Sequence, residues 1–281
     1  MKENRLVFIS DVHYMVEGVP HDNKGLNYYY GEENDFRVQK IVDLISEEHR
    51  IAPIDAVIFL GDTTHEQEVN LRDFCKTWQP KLPCPAYFLP GNHESHSEEV
   101  WTEITGSGRQ SVVEIPYGIV LLCDCFYDLQ HPHKLQPMDM SFLVKQAEQH
   151  KGKKLLLCTH YFQCEETLKE WLTSTPEVVA VFHGHSHLSL PLTEEFGGKK
   201  VVSTGNFSYG LNMKPEPEWY QKYGWSITEV TECSGQWKCR KIYPDMKYEF
   251  SKLQENNRFY QEMYCDYTIK KEYGEWLLLS Q

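Results

Sequence analysis

No Cys-x-x-Cys pair occurs among the nine cysteines, which are odd in number and scattered, so neither a disulfide framework nor a thiolate zinc site is indicated. Long apolar runs are missing too. No stretch approaches eighteen apolar residues, and the run before Asp11 is too short for the apolar region of a signal peptide. The sequence therefore predicts neither a membrane span nor export, and a reducing cytoplasm is the expected compartment. Basic charge is scarce: 28 Lys and Arg against 41 Asp and Glu leave a net charge of -13, which argues against long nucleic acid or an anionic membrane as partner. Gly106-Ser107-Gly108 lacks the third glycine of a dinucleotide fingerprint, and no G-x-x-x-x-G-K is present. Arg109, which follows that pair, reads as part of an ordinary turn. Internal repeats and low-complexity tracts are also absent.

What remains is the composition of a folded globular chain of 281 residues, 41% hydrophobic and 25% charged. Short apolar runs of strand length fall at Arg5–Ser10, Asp55–Leu60, Ala86–Leu89, Gly118–Leu122, Lys154–Cys158 and Val178–Phe182. Helical spacing appears between them. Phe36, Ile41, Leu44 and Ile45 share one face, and Leu71, Phe74 and Trp78 another. This alternation predicts an α/β fold. Val201–Ser203, Trp225–Val230 and Trp237–Ile242 then read as strands without intervening helices, the last two joined by a hairpin at Ser234-Gly235, so a partly antiparallel second sheet is expected. Residues 1–244 are read as one catalytic domain and 245–281 as an extension docked on it, with Phe250, Leu253, Tyr260, Met263 and Tyr264 on one helical face.

The strands end in chemistry. Asp11-Val12-His13 follows the first, and a period of two points the carboxylate and imidazole the same way. Gly61-Asp62 ends the second, Gly91-Asn92-His93-Glu94 the third, Thr159-His160 a later one, and His183-Gly184-His185-Ser186-His187 the next. Carboxyl strand ends are where open α/β sheets place ligands. Carboxylate, amide oxygen and imidazole together suit hard or borderline first-row metals. Seven such side chains exceed the needs of one ion, so two divalent or trivalent ions are expected, with manganese, iron or zinc as candidates. A carboxylate such as Asp62 can bridge two ions roughly 3.5 to 4 Å apart.

Taken in order, these blocks resemble the D-x-H, G-D, G-N-H-[D/E], His and G-H-x-H pattern of the calcineurin-like metallophosphoesterase superfamily. The resemblance spans residues 11 to 187. It implies a four-layer αββα sandwich of two mixed β-sheets flanked by helices. It implies one metal on Asp11, His13, Asp62 and His187, and another on Asp62, Asn92, His160 and His185. It further implies attack by a metal-activated hydroxide, with His93 protonating the leaving group or stabilising phosphoryl charge and Glu94 orienting that imidazole. The expected function is hydrolysis of a small phosphomonoester or phosphodiester, nucleotide-like or another soluble metabolite. A non-catalytic metal-binding scaffold and a nuclease relative are the alternatives, and the missing basic stripe counts against the latter. No Asp-Arg-Gly follows Gly61-Asp62, unlike the protein Ser/Thr phosphatases, and Thr159-His160-Tyr161-Phe162 differs from the His-His-Pro-Pro of many cyclic-nucleotide phosphodiesterases.

Around this core, Tyr14, Tyr28 and His65 are the candidate substrate contacts. Tyr14 and Tyr28 belong to a polar, aromatic insertion from Tyr14 to Asn34, which either walls the pocket or packs on itself. His65 stands where many relatives carry Asp or Glu, and either backs the metal ligands or caps the helix beginning nearby. His183 and Asp124 are read as strand-end residues without a catalytic role.

Overall fold

The computed structural model describes residues 3–19, 34–131, 133–187, 193–208, 225–248 and 267–280. Tyr28 and the five residues proposed for a C-terminal helical face lie outside the described residues. Three parallel strands, β1 (Asn4–Ile9), β2 (Ala56–Leu60) and β3 (Ala86–Leu89), form the parallel part of a seven-stranded first sheet. β10 (Ile227–Cys233) pairs antiparallel with β1, and β11 (Gln236–Tyr243) with β10. Ser234 and Gly235 both have positive φ, +52° and +85°, as a two-residue hairpin of right-handed twist requires. β14 (Glu272–Tyr273) and β15 (Leu277–Ser280) then pair with β11.

The second sheet has the order β4-β5-β6-β7-β9-β8. It comprises β4 (Ser111–Ile115), β5 (Gly118–Cys123), β6 (Leu155–Thr159), β7 (Val178–His183), β8 (Thr193–Phe196) and β9 (Lys199–Ser203). Its middle is parallel, and β4 and β8 close the edges antiparallel. The sequence pattern misses β4 and β8 because both are short and half polar.

Both faces of each sheet are buried, which is why the strands read as continuous apolar runs. Along β1, Val7 and Ile9 face helix α1 (Asn34–Ile51) and its Val38, Ile41 and Ile45. Leu6 and Phe8 point the other way, toward Leu122, Leu156 and Phe182 of the second sheet. The Phe8 and Phe182 rings stack across that interface with centroids 4.6 Å apart. On its far side the second sheet turns Leu121, Leu155 and Leu157 toward α4 (Met140–Gln149) and α5 (Glu166–Ser174). Two shorter helices, α2 (Glu68–Asp73) and α3 (Glu98–Thr105), accompany α1 on the outer face of the first sheet through Leu71 and Trp101. Three apolar layers thus separate four layers of structure, helix, sheet, sheet and helix, in agreement with the expected sandwich. Burying each large apolar side chain here contributes about 1.5–3 kcal/mol.

Of the C-terminal extension, the described residues contribute short strands. Glu272–Tyr273 and Leu277–Ser280 are strands, and in the second Leu279 turns into the inter-sheet core and Leu278 outward, a period of two. β12 (Met246–Tyr248) and β13 (Tyr267–Ile269) form a separate antiparallel pair.

Among the buried polar groups, Lys241 on β11 donates to Ser203 O and Thr228 Oγ1 with no carboxylate paired to it among the described residues, and burial pushes its ammonium down to about 7. The unfolded chain keeps that proton up to a pKa of about 10.4. Between these values the unfolded state binds more protons, so the cost of burying Lys241 is full below pH 7 and disappears as pH rises. Relative to Lys241→Met, the protein is expected to gain up to about 1.4 kcal/mol per pH unit between pH 7 and 10. Urea unfolding of both chains across that range checks it; a flat difference would mean that Lys241 titrates normally.

Candidate metal centre

Five strand ends converge. Asp11 and His13 follow β1, Asp62 follows β2, Asn92 follows β3, His160 follows β6, and His185 and His187 follow β7. The first two loops stay in register beyond their strands: Asp11 N–H donates to Gly61 O (3.1 Å) and His13 N–H to Asp62 O (2.8 Å). The two sheets are tied together at this edge by His185 N–H, which donates to Asp11 Oδ2 at 2.9 Å.

Within the edge, Asp62 is central. Its Oδ2 lies 3.1 Å from His160 Nε2 and 3.7 Å from His13 Nε2. On one side, Asp11 Oδ1 is 4.0 Å from His13 Nε2 and 3.3 Å from His187 Nε2. On the other, Asn92 Oδ1 is 2.9 Å from His185 Nδ1. Asp11, His13 and His187 place ligand atoms within 4.8 Å of one another, and so do Asp62, His160 and His185.

Several of these side chains reach their positions only through unusual backbone. Asp11, His13, Asp62, His185 and His187 all adopt left-handed φ, from +48° to +64°, a conformation L-residues occupy at a cost of order 1–3 kcal/mol each. Close approach is the other requirement. A Cβ on Gly61 would collide with the His160 imidazole, and one on Gly91 with the Asp62 carboxylate, so glycine precedes Asp62 and Asn92 for want of space.

The charges answer each other. Burial raises the Asp11 carboxyl, but His187 and His160 outweigh it and hold the group down to about 2. Asp62 is likewise held well below the usual carboxylate range, burial notwithstanding, chiefly by His160. Burial opposes protonation of His160, yet Asp62 lifts it to about 10. His13 and His185 are pushed down, in each case by burial first. Among the described residues, the buried Asp11 Oδ1 and His160 Nε2 have charged neighbours 3.3 and 3.1 Å away, His187 Nε2 and Asp62 Oδ2, but no hydrogen bond of good geometry. Orphaned carboxylate oxygen and imidazole nitrogen inside two compact donor clusters are what a pair of cations would satisfy, so the residues present fit a dinuclear centre.

The family model for calcineurin-like phosphoesterases matches residues 4–189, about two-thirds of the chain and every block just described. The chain belongs to this family. No curated protein matches the sequence. Among solved structures, a dimetal phosphatase from Danio rerio is 14% identical with a TM-score of 0.57, the likeness covering 85% of this chain and 95% of that one. The calcineurin-like phosphoesterase YfkN from Bacillus subtilis is 11% identical with a TM-score of 0.45, covering 84% of this chain and 87% of that one. An NAD nucleotidase from Haemophilus influenzae, 11% identical with a TM-score of 0.45, matches all of this chain, which spans 54% of its length. At these identities the likeness concerns the fold alone.

Within this member of the family, several residues behave differently from the sequence reading. Glu94 does not touch the His93 imidazole. It is fully buried; one carboxylate oxygen accepts from Thr64 N–H (2.8 Å) and the other from Gly91 N–H (2.9 Å), which locks the loops carrying Asp62 and Asn92 together. Burial, then the Asp62 charge, pushes its pKa up to about 7. Tyr14 is core rather than pocket wall: its hydroxyl donates to Asp73 Oδ2 (2.6 Å) and its ring packs edge-on against Phe74 and Trp78. His65 is 1% exposed, so it cannot meet a substrate. It lies behind the site, with Nδ1 3.3 Å from His13 Nδ1 and its ring stacked on His93 at 4.4 Å between centroids. His183 contacts its own turn and stays outside the three donor clusters among the described residues, the third being His13, His65 and His93.

Arg109 is the residue sequence reasoning missed. Far from an ordinary turn, it is buried, pairs with Asp124 at 2.7 Å, and donates to the carbonyls of Glu94, His96 and Phe126. It therefore clamps the loop after His93 to the loop whose Phe126 ring stands beside His160 and His185. Nothing in a Gly-Ser-Gly-Arg string signals this, and its distant partner Asp124 reads from the sequence as a strand-end residue. Arg109→Met is expected to cost about 3 kcal/mol in urea unfolding, because it strands a buried carboxylate. Adding Asp124→Leu should return part of that loss, and a double variant weaker than the single would refute the pairing.

Tyr161, 37% exposed, sets its ring edge-on against His185 (centroids 4.8 Å) and forms part of the rim. Among the described residues, no helix is long and apolar enough to cross a membrane.

Proposed function

We propose that the protein is a dinuclear-metal phosphoesterase that hydrolyses a small phosphomonoester or phosphodiester. The observation that carries this reading is the convergence of the donor clusters Asp11, His13, His187 and Asp62, His160, His185 beside a partly exposed histidine. Asp11, His13, Asp62 and His187 would hold one ion, and Asp62, Asn92, His160 and His185 the other. When bound, such ions supply neutralisation of phosphoryl oxygens and acidification of water toward neutral pH.

The chain's own residues do the rest. His93 N–H donates to Asp62 Oδ1 (3.0 Å), which fixes the histidine's backbone to the centre of the site. Its Nδ1 is buried, which leaves Nε2 as the ring nitrogen able to give a proton to the departing oxygen. Glu94 and Arg109 act on the frame, one holding the Asp62 and Asn92 loops together and the other anchoring the loop after His93. With a net charge of -13, the protein's field disfavours long polyanions and leaves small phosphates as substrates.

Metal analysis combined with a phosphate-release assay over a panel of small esters, with manganese, iron or zinc supplied, tests the reading. Two retained ions with hydrolysis are expected. Two ions with no hydrolysis of any ester would favour a metal-binding scaffold instead.

A further inference from the structure

The chain that leaves β9 makes a row of contacts with two of the metal-bearing loops. Thr204 donates to His183 O twice, from its N–H at 2.7 Å and from its hydroxyl at 3.0 Å. Gly205 O accepts from the Ser10 hydroxyl (2.8 Å), and Phe207 N–H donates to Asp11 O (3.2 Å). Asn206 donates its side-chain amide to His187 O at 2.8 Å and accepts Ser208 N–H on Oδ1 at 3.2 Å. Ser208 Oγ then stands 3.2 Å from His187 Nδ1. Lys241 anchors the start of this segment through Ser203 O. Asn206 and Ser208 are both fully buried, so bulk water does not compete for these contacts.

The two ring nitrogens of His187 have different neighbours. Nε2 faces Asp11 Oδ1 at 3.3 Å, whereas Nδ1 faces the Ser208 hydroxyl. A nitrogen that binds a cation must offer its lone pair, so in the neutral ring the proton sits on the other nitrogen and needs an acceptor. His160 meets that need through a main-chain carbonyl, Leu60 O, 2.8 Å from its Nδ1. For His187 a side chain meets it, and a side chain can be exchanged.

We propose that Ser208 is a positioning residue for one ion of the pair: by accepting Nδ1–H of His187 it fixes the tautomer and the plane of the ring, and so sets the affinity of the site formed by Asp11, His13, Asp62 and His187. The proposal rests on the dinuclear reading. Its consequence is an asymmetry between the two ions. Among the described residues, Ser208 hydrogen-bonds to none of Asn92, His160 and His185, so the other site keeps all of its donors when the hydroxyl is lost. The Ser208 N–H bond to Asn206 survives a change of side chain, which leaves the loop's course intact.

The unaltered protein and Ser208→Ala are each titrated with zinc by calorimetry, with metal analysis of the product. Two equivalents are expected in the unaltered chain. In Ser208→Ala one of them should weaken about 10- to 100-fold, the loss that removal of such an outer partner brings, while the other keeps its affinity. Nitrogen NMR of the imidazoles in the zinc-loaded, unaltered protein is expected to place the His187 proton on Nδ1. A proton on Nε2 overturns the proposal, and this measurement needs no variant, so a Ser208→Ala protein that fails to fold does not remove the test. Two ions held equally well in both proteins overturn the role of Ser208 and leave the dinuclear reading standing. Loss of both affinities together marks a general loosening of the fold and also overturns the proposal. Unaltered protein that binds no zinc, manganese or iron overturns the dinuclear reading itself.

Discussion

Asp62→Asn is expected to release both ions and lower turnover by at least about ten-thousandfold, or about 5.5 kcal/mol. Its carboxylate stands 3.1 Å from His160 Nε2 and 3.7 Å from His13 Nε2, so it lies between the two clusters. An amide of the same shape keeps a single acceptor and brings no charge. The substitution also removes the partner that raises His160, so that imidazole loses its reason to hold a proton. Metal content and turnover should fall together, and any metal-dependent rise in melting temperature should vanish with them. A variant that kept two ions and a near-normal rate would remove Asp62 from the centre of the site.

His93→Ala is expected to behave in the opposite way toward the paired metals. Neither of the two sites flanking Asp62 uses this side chain, and its backbone N–H to Asp62 survives the change. Both ions should stay. Turnover of an alkyl phosphate should drop about a thousandfold, within the range of general acid catalysis, whereas a nitrophenyl ester, whose leaving group departs without a proton, should lose far less. Rates measured across leaving groups of graded basicity decide the matter. Equal losses along the series would mean that His93 stabilises charge and transfers no proton.

How much of this could be read beforehand depends on what each residue's signal was. The strands were legible because each is buried on both faces and so appears as an unbroken apolar run. The convergence of Asp11, His13, Asp62, Asn92, His160, His185 and His187 at one edge was legible because they close those runs within short, ordered blocks. Their backbone was not: left-handed φ at Asp11, His13, Asp62, His185 and His187 leaves no trace in residue identity, since none of these is glycine. Tyr14 looked like a loop aromatic from its neighbours, but Asp73, far away in sequence, supplies the hydroxyl's partner and draws the ring into the core. Glu94 adjoins His93 in the chain, and adjacency suggested contact, yet the loop sends its carboxylate to backbone N–H groups of Gly91 and Thr64. Arg109 was invisible for a related reason. A buried guanidinium is defined by carbonyls brought from separate loops, which no local pattern encodes.

Left-handed donors also set the direction in which this fold can drift. At each of those five positions glycine would relax the main chain and delete a donor in the same step, so selection for thermal robustness alone would lead away from metal binding. Heat tolerance and chemistry therefore pull against each other at one rim of the molecule. The three apolar layers beneath can be tightened without touching that contest.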